Sequence, residues 1–448
     1  EGRPFNHEQR ALVYRRAKNV SSVEPFGSLL DIDKPPYEWL AHSIAAKHTA
    51  DDCPRVSVGA PGTAQPYSAS VFNISAMSFG SLGAHAIEAL STGAKMGDFY
   101  HDTGEGGVSP YHRAGGADLV WEIGSGYFGC RAQDGTFDAA RFADVAKDPQ
   151  VKMIEIKLSQ GAKPGHGGVL PGAKVTAEIA ATRGIPIGET CFSPPGHSAF
   201  STPIEMMEFV ARLRDLSGGK PVGIKFCVGN RWEILALCKA MLETGIRTDF
   251  MVVDGGEGGT GAAPAEFLDH IGAPLRQGLV LVRNALVGTG LKDQVRLACS
   301  GKQTSAFAIA SSMALGADWV NTARGFMFSL GCIQSLHCHN NTCPTGIATT
   351  DKGRQRGLVV ADKAERVYNF HRNTVKALME VVGAAGCEHP AELTPRHIMH
   401  RVTEDITLPA HRAYDLLEKN ALLDMPEDTQ LADEWAMAQA ASFRPLSL

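Results

Sequence analysis

The run Pro221 to Gly245, PVGIKFCVGNRWEILALCKAMLETG, decides the fold. Pro221–Val228 is apolar apart from Lys225 and reads as a short buried strand. A polar turn follows, and Trp232–Thr244 then carries apolar residues at three and four spacing until Gly245 ends the periodicity. This is one strand and one helix, joined by a loop.

The pattern repeats in both directions. Strands are expected at Val71–Met77, Asp98–Thr103, Met153–Ser159, Glu189–Ser193, Pro221–Val228, Asp249–Val253, Val295–Ser300 and Trp319–Ala323. Helices are expected at Ala84–Met96, Pro203–Leu216, Trp232–Thr244 and Ser305–Leu315, with Gly97, Gly245 or Gly316 just beyond three of them. Eight such units in about 250 residues argue for a (β/α)8 barrel. A doubly wound sheet is the alternative, but no G-x-G-x-x-G follows the first strand, which removes its dinucleotide-binding version.

The barrel is expected over residues 71–386, closed by the amphipathic stretch Lys363–Gly383. Residues 1–70 read as an N-terminal extension wrapping it, with one helix at Asn6–Arg16 and an irregular path through Pro25, Pro35, Pro36, Pro54 and Pro61. Residues 387–448 read as a helical, proline-punctuated C-terminal cap.

Composition bounds the partners. A net charge of −5 in 448 residues, with 44% hydrophobic and 20% charged residues, excludes a nucleic-acid or polyanion surface and points to small molecules or another protein. The ten cysteines are scattered, and several sit in apolar runs, as expected of reduced thiols in the cytoplasm. No run reaches the roughly 18 apolar residues of a membrane helix. The sequence opens at Glu1 without a methionine, so an upstream segment, including one that associates with a membrane, is compatible with this reading.

Gly331–Gly346, GCIQSLHCHNNTCPTG, places Cys332, Cys338 and Cys343 in C-x5-C-x4-C spacing within one polar loop. Thiolates select zinc or iron–sulfur clusters, and three of them suit the three iron corners of a [3Fe-4S] cluster. A Cys3His zinc site that recruits His337 or His339 is the competitor, although the usual close cysteine pair is missing. Three unligated cysteines are the third reading.

In such barrels the chemistry sits at the carboxyl ends of the strands. The first strand ends in Ala76-Met77-Ser78. The second runs into Thr103-Gly104-Glu105-Gly106-Gly107. The strand from Met153 leads to Gln160 and Lys163, and the next bears the isolated Lys225. Burying an unpaired ammonium is costly, so Lys225 points to a catalytic or cofactor-facing role more than a structural one. The sixth strand opens into a glycine-rich run containing Gly259 and Thr260. The last two strands end in Ser300-Gly301-Lys302 and Ala323-Arg324-Gly325, where barrels of this kind commonly bind phosphate. For any one of these glycines, an ordinary turn is the competing reading.

MSFGSL (77–82), TGEGG (103–107), IKLSQGAKPGHGG (156–168), SPPGH (193–197), GGTGA (258–262) and the three-cysteine loop together resemble the FMN-binding synthase domain of glutamate synthase, from about Asn73 to Gly383. The resemblance implies a (β/α)8 barrel with FMN at the strand ends and a [3Fe-4S] cluster on Cys332, Cys338 and Cys343. It also implies reduction of an imine formed from a 2-oxo acid and ammonia. On this resemblance Glu105 and Lys225 handle protons. Ala76, Met77, Ser78, Thr103, Gln160, Lys225, Gly259, Ser300, Gly301, Lys302, Ala323, Arg324 and Gly325 hold the flavin, and Lys163 and Thr260 meet the substrate; Arg231 is a substrate candidate from outside the family pattern. The electron donor is implied to be a ferredoxin-like protein or an NAD(P)H-oxidising subunit. A homo-oligomer is compatible with this reading.

Two departures bear on the reaction. His166 stands where the family's motif usually has glutamate, and Gly229-Asn230-Arg231-Trp232 replaces a small apolar continuation. Arg231 is thus either a clamp for a different acid or a solvated helix-start arginine. Within these 448 residues there is no glutaminase region, so the amine is expected from solution or from a partner such as an amidotransferase. The chain is similar to stand-alone glutamate-synthase-like proteins. N-methylglutamate-type synthesis, another amino- or hydroxy-acid oxidoreduction, and a partner-dependent subunit are the alternative readings.

Overall fold

Eight parallel strands close on one another to form a barrel, each followed by a helix on the outside. The computed structural model describes residues 3–50, 52–59 and 63–447; Glu1 and Pro61 of the sequence reading lie outside the described residues. Three strands precede the barrel: β1 (Tyr37–Leu40), β2 (Arg55–Val58) and β3 (Tyr67–Ser70). The first four barrel strands are β4 (Phe72–Ile74), β5 (His101–Asp102), β6 (Leu119–Ile123) and β7 (Val151–Lys157). After the short β8 (Val169–Leu170) and β9 (Cys191–Phe192) come β10 (Val222–Phe226), β11 (Phe250–Asp254), β12 (Arg296–Ser300) and β13 (Trp319–Thr322). Pairing of Val320 with Phe72 and of Thr322 with Ile74 joins the last barrel strand to the first.

One expected strand is corrected. In Glu189–Ser193 only β9 is extended, and it pairs antiparallel with β8 outside the barrel. The barrel strand that the sequence reading lacked is β6, in which Glu122 interrupts an otherwise apolar run. A charged residue in mid-strand hides the apolar signal of a strand buried on both faces. The expected helices appear at Ala84–Gly97, Pro203–Leu216, Arg231–Thr244 and Ala306–Ala314, and Val360–Ala384 follows β13 as the eighth outer helix. Thr202 caps Pro203–Leu216 by accepting from the Glu205 amide, while Glu205 reaches back to the cap, which fixes where that helix begins.

Successive residues of a strand face opposite sides of the sheet, so the barrel interior takes alternate residues. Near the amino ends these are apolar: Tyr100, Val120, Met153, Phe250, Val252, Ala298 and Trp319, packed with Val58, Tyr67 and Ala69 of the β2–β3 hairpin, which plugs that end. Two residues further along several of these strands the interior turns ionic, with Asp102, Glu122, Glu155 and Asp254, and Lys225 joins them from β10. The barrel therefore has a dry base and a charged upper layer, which places chemistry at the carboxyl ends.

The N-terminal helix His7–Ala17 lies against Val360–Ala384, where Asn373 donates to the Arg16 carbonyl. The tail is less purely helical than expected. Short helices at Ala410–Ala413, Ala421–Asp424 and Ala432–Met437 are accompanied by β14 (Ile398–Arg401) and β15 (Thr407–Pro409), and β14 pairs with β1. No helix among the described residues is long and apolar enough to cross a membrane.

Candidate functional site

Three neighbouring hollows open at the carboxyl ends of the barrel strands and share walls at Gly259 and Arg324. The innermost is lined by Ala76, Gln160, Lys225, Gly259, Ser300, Gly301, Lys302, Ala323 and Arg324. Next to it a hollow of about 120 Å³ takes in Met77, Ser78, Glu105, Lys157, Lys163, Lys174 and Thr260. The largest, of about 970 Å³, is bounded by Thr260, Lys302, Arg324 and all three loop cysteines. Residues that are distant in sequence thus meet in one continuous site.

The loops after β12 and β13 supply its cationic end. Gly301 and Lys302 both have positive φ, so the chain turns sharply as it leaves β12. Arg324 begins a short helix after β13 and donates through Nη2 to the Thr260 carbonyl at 2.6 Å, bracing the glycine-rich loop after β11. Two cations over glycine-lined backbone fit a phosphate, and the small residues Ala76 and Ala323 leave room for a flat ring beside Lys225.

Glu105 is the acidic centre of the middle hollow. Two glycines make space for it: a Cβ on Gly168 would lie 2.1 Å from its Oε1, and one on Gly124 2.6 Å from its Oε2. Lys157 pairs with Glu105 at 3.0 Å. Burial pushes the Glu105 carboxyl up, but Lys157, Arg183 and Lys163 outweigh it and hold the group below the usual glutamate range. Burial and then the charge of Lys157 bring Lys163 down to about 8; its Nζ donates to the Ala262 carbonyl. Arg183 is buried against Ser78 and Phe79 and lies over the Phe128 ring. Glu105 and Glu122 are the carboxylates of a hollow whose wall also carries Lys157, Lys163, Lys174 and Arg324, an arrangement that attracts anions.

Lys225 stands on a buried acidic base. Its Nζ meets Glu122 at 2.8 Å, and single carboxylate oxygens of Asp102, Glu122 and Glu155 all lie within 4.8 Å of one another. Burial alone would pull Lys225 down, but Glu122, Asp102, Asp254 and Glu155 keep it well above the usual lysine range, so it is a fixed cation.

The cysteine loop is held from three sides. Tyr14 of the N-terminal helix donates to the Cys332 carbonyl, Lys174 bridges the carbonyls of Cys338 and Ser81, and Asn341 is tied to Thr350. Gln334, Leu336 and Asn341 adopt left-handed conformations that coil the loop back on itself. Burial raises the Cys343 thiol, but the Thr345 hydroxyl and the amides of Ala348, Thr345 and Ile347 bring it below the ordinary value, a setting made for a thiolate. His337 is exposed and bonded to Asn340, while His339 lines the largest hollow together with the three cysteines. Three thiolates on one wall are a donor set for zinc or for an iron–sulfur cluster.

Most residues expected at the site are brought together, and three are not. Thr103 is buried, its hydroxyl donating to the Gly104 carbonyl and accepting from the Glu122 amide. Gly325 is packed against Thr322 and Phe370. Arg231 heads its helix at the surface and pairs with Glu434 at 2.8 Å, lining none of the three hollows. Arg231→Ala is therefore expected to leave kcat and KM within about twofold and to cost ~0.2–1 kcal/mol of stability, as for an exposed ion pair. Enzyme kinetics and chemical denaturation check both. Sequence reading missed Lys174, Arg183 and the roles of Asp102, Glu122 and Glu155. For the acids a signal existed: Met153, Glu155 and Lys157 alternate along β7, which places Glu155 inside the barrel.

The family profile described as "Conserved region in glutamate synthase" matches residues 60–388. The glutamate synthase large subunit-like protein YerD of Bacillus subtilis is 44% identical over 328 residues, covering 73% of this chain and 62% of that protein. An archaeal glutamate synthase [NADPH] of Methanocaldococcus jannaschii is 33% identical over 314 residues, covering 70% of this chain and 58% of that one. The chain thus spans about three fifths of the length of these relatives. A solved structure of mandelate oxidase with (S)-2-phenylpropionate is distantly similar, with 15% identity and a TM-score of 0.49 over 88% of this chain and 98% of the other.

Proposed function

The chain belongs to the glutamate synthase family, and on that premise we propose that it is an oxidoreductase carrying FMN and a [3Fe-4S] cluster, which forms glutamate or a related amino acid from a 2-oxo acid and an amine. The observation that carries this reading is the placement of Glu105, held ionised among Lys157, Lys163 and Arg183, between a phosphate-suited strand end and a loop of three cysteines.

Lys302 and Arg324 would hold the FMN phosphate, Lys225 would sit under the ring system, and Cys332, Cys338 and Cys343 would hold the cluster. When bound, FMN would supply hydride to an imine carbon, and the cluster would supply electrons singly. Lys163 binds and orients a carboxylate of the acid, Arg183 adds its positive charge from behind the wall through Ser78 and Phe79, and Thr260 closes the wall between the hollows. Glu105 accepts a proton from the incoming ammonium, the neutral amine adds to the 2-oxo carbon, and Glu105 returns the proton to the departing hydroxyl, which leaves as water to give the protonated imine. Lys163, with its proton held near neutrality, returns one to the nitrogen as the carbon is reduced.

The electron donor is proposed to be a ferredoxin-like protein or an NAD(P)H-oxidising subunit, and the amine ammonia, either free or delivered by an amidotransferase partner. Purified protein should show a flavin visible spectrum, with FMN and three irons per chain on analysis. Anaerobically reduced enzyme should be reoxidised by 2-oxoglutarate with ammonia. Enzyme that no 2-oxo acid and amine reoxidise would defeat the reaction; a colourless, iron-free protein with full activity would defeat the cofactors.

A further inference from the structure

The four ionisable groups beneath the inner hollow are more than a counter-charge for one lysine. Lys225 needs one carboxylate, and Glu122 supplies it at 2.8 Å. Asp102 and Glu155 lie in the same buried layer, each about 1% exposed, and one carboxylate oxygen of each lies within 4.8 Å of the other and of Glu122. Three buried carboxylates around one ammonium cannot all ionise without uncompensated charge, and a proton held between Asp102 and Glu155 removes the excess. The Asp102 Oδ1 also accepts from the Gly104 amide at 3.0 Å, which ties this pair to the loop bearing Glu105. Glu155 Oε1 is buried without any partner. A buried oxygen with no donor is a place where a proton can be accommodated.

We propose that Asp102 and Glu155 form a shared-proton pair, linked through Glu122 to Lys225, that takes up a second proton when negative charge is placed in the hollow above. Asp102 and Glu155 are positioning residues: they line none of the three hollows, Glu122 alone reaches the wall of the middle one, and the pair acts by keeping the charge around Lys225 balanced. The step balances simply, one solvent proton joining one carboxylate to give a carboxyl group, with no change of oxidation state. The inference rests on the reading above only in identifying the negative charge as that of reduced flavin.

The surroundings support a pair that titrates. The charged or titratable groups facing it are Glu122 on β6, Lys225 on β10, Asp254 at the end of β11, and Tyr100 just before β5, whose hydroxyl donates to Asn321. Burial first, and then the charge of Glu122, bring Asp102 up to about 7, while burial and Asp102 hold Glu155 well above the glutamate range. Both groups are thus pushed toward their protonated forms, and falling pH or arriving negative charge pushes them further the same way.

Infrared spectroscopy of the whole protein tests this. At about pH 8, where ordinary carboxyls are ionised, wild type should show the carbonyl stretch of one protonated carboxyl. That stretch should shift when glutamate alone is carbon-13 labelled and disappear in Glu155→Gln. The labelling needs no variant, so a misfolded mutant cannot mask the answer; absence of the band from wild type overturns the proposal. In the second arm, anaerobic reduction of the bound flavin should increase this absorbance, and Asp102→Asn should abolish the increase. Unchanged absorbance on reduction overturns the coupling. A preparation without flavin would defeat the reading of the previous subsection and the coupling with it, while the first arm would still decide the shared proton.

Discussion

Glu105→Gln lowers kcat by about 10²- to 10⁴-fold, the span typical of a lost acid–base group, with FMN and iron contents unchanged. Glutamine keeps the shape between Gly124 and Gly168 but cannot take a proton, and it leaves the buried Lys157 without its 3.0 Å partner. The loss should fall on kcat more than on KM, because Lys163 still lines the hollow that holds the acid. The pH dependence follows from the sign of the shift. The Glu105 carboxyl lies below its ordinary value, so its ionised form persists through neutrality and activity falls only as acid protonates it. Steady-state kinetics across acid pH should find this limb in wild type and not in the variant. A variant within tenfold of wild-type kcat would remove Glu105 from the chemistry.

Cys343→Ser should strip the protein of iron while sparing its flavin. Cys343 is the most buried of the three loop cysteines, and its sulfur alone accepts from a ring of donors at Thr345, Ile347 and Ala348. A serine oxygen is a harder, more basic ligand that suits iron–sulfur chemistry poorly. Turnover driven by a one-electron donor should fall at least about 10²-fold, the upper range for losing an outer-shell partner of a metal site. Turnover by chemically reduced flavin should persist, which separates a lost electron path from a lost fold. Wild-type iron in this variant would show that these sulfurs do not hold a cluster.

The barrel was readable because seven of its strands announce themselves as apolar runs followed by helical periodicity. β6 escaped because of Glu122, and the same residue explains why the Lys225 environment was only half visible. An isolated lysine in an apolar strand stands out in sequence, whereas its partner lies on another strand and is brought alongside only by the register of the closed barrel. The strand-end motifs gave Glu105, Lys163, Arg324 and the cysteines, all on glycine-rich or polar loops where the chain's composition changes abruptly. Arg183 and Lys174 lie in and just before an ordinary-looking helix, so nothing local distinguishes them from solvated cations. Arg231 misled for the opposite reason: an unusual residue after a catalytic-looking strand proved to be a surface partner of Glu434.

The pairing of β1 with β14 has a consequence for biosynthesis. Tyr37 precedes every barrel strand and its neighbour Arg401 follows all of them, so the β1 edge cannot dock until the whole barrel has been synthesised. Bringing such remote segments together carries an entropy cost that local contacts do not offset. The hairpin plug and the first βα units can condense during synthesis, whereas this latch belongs to the late steps of assembly.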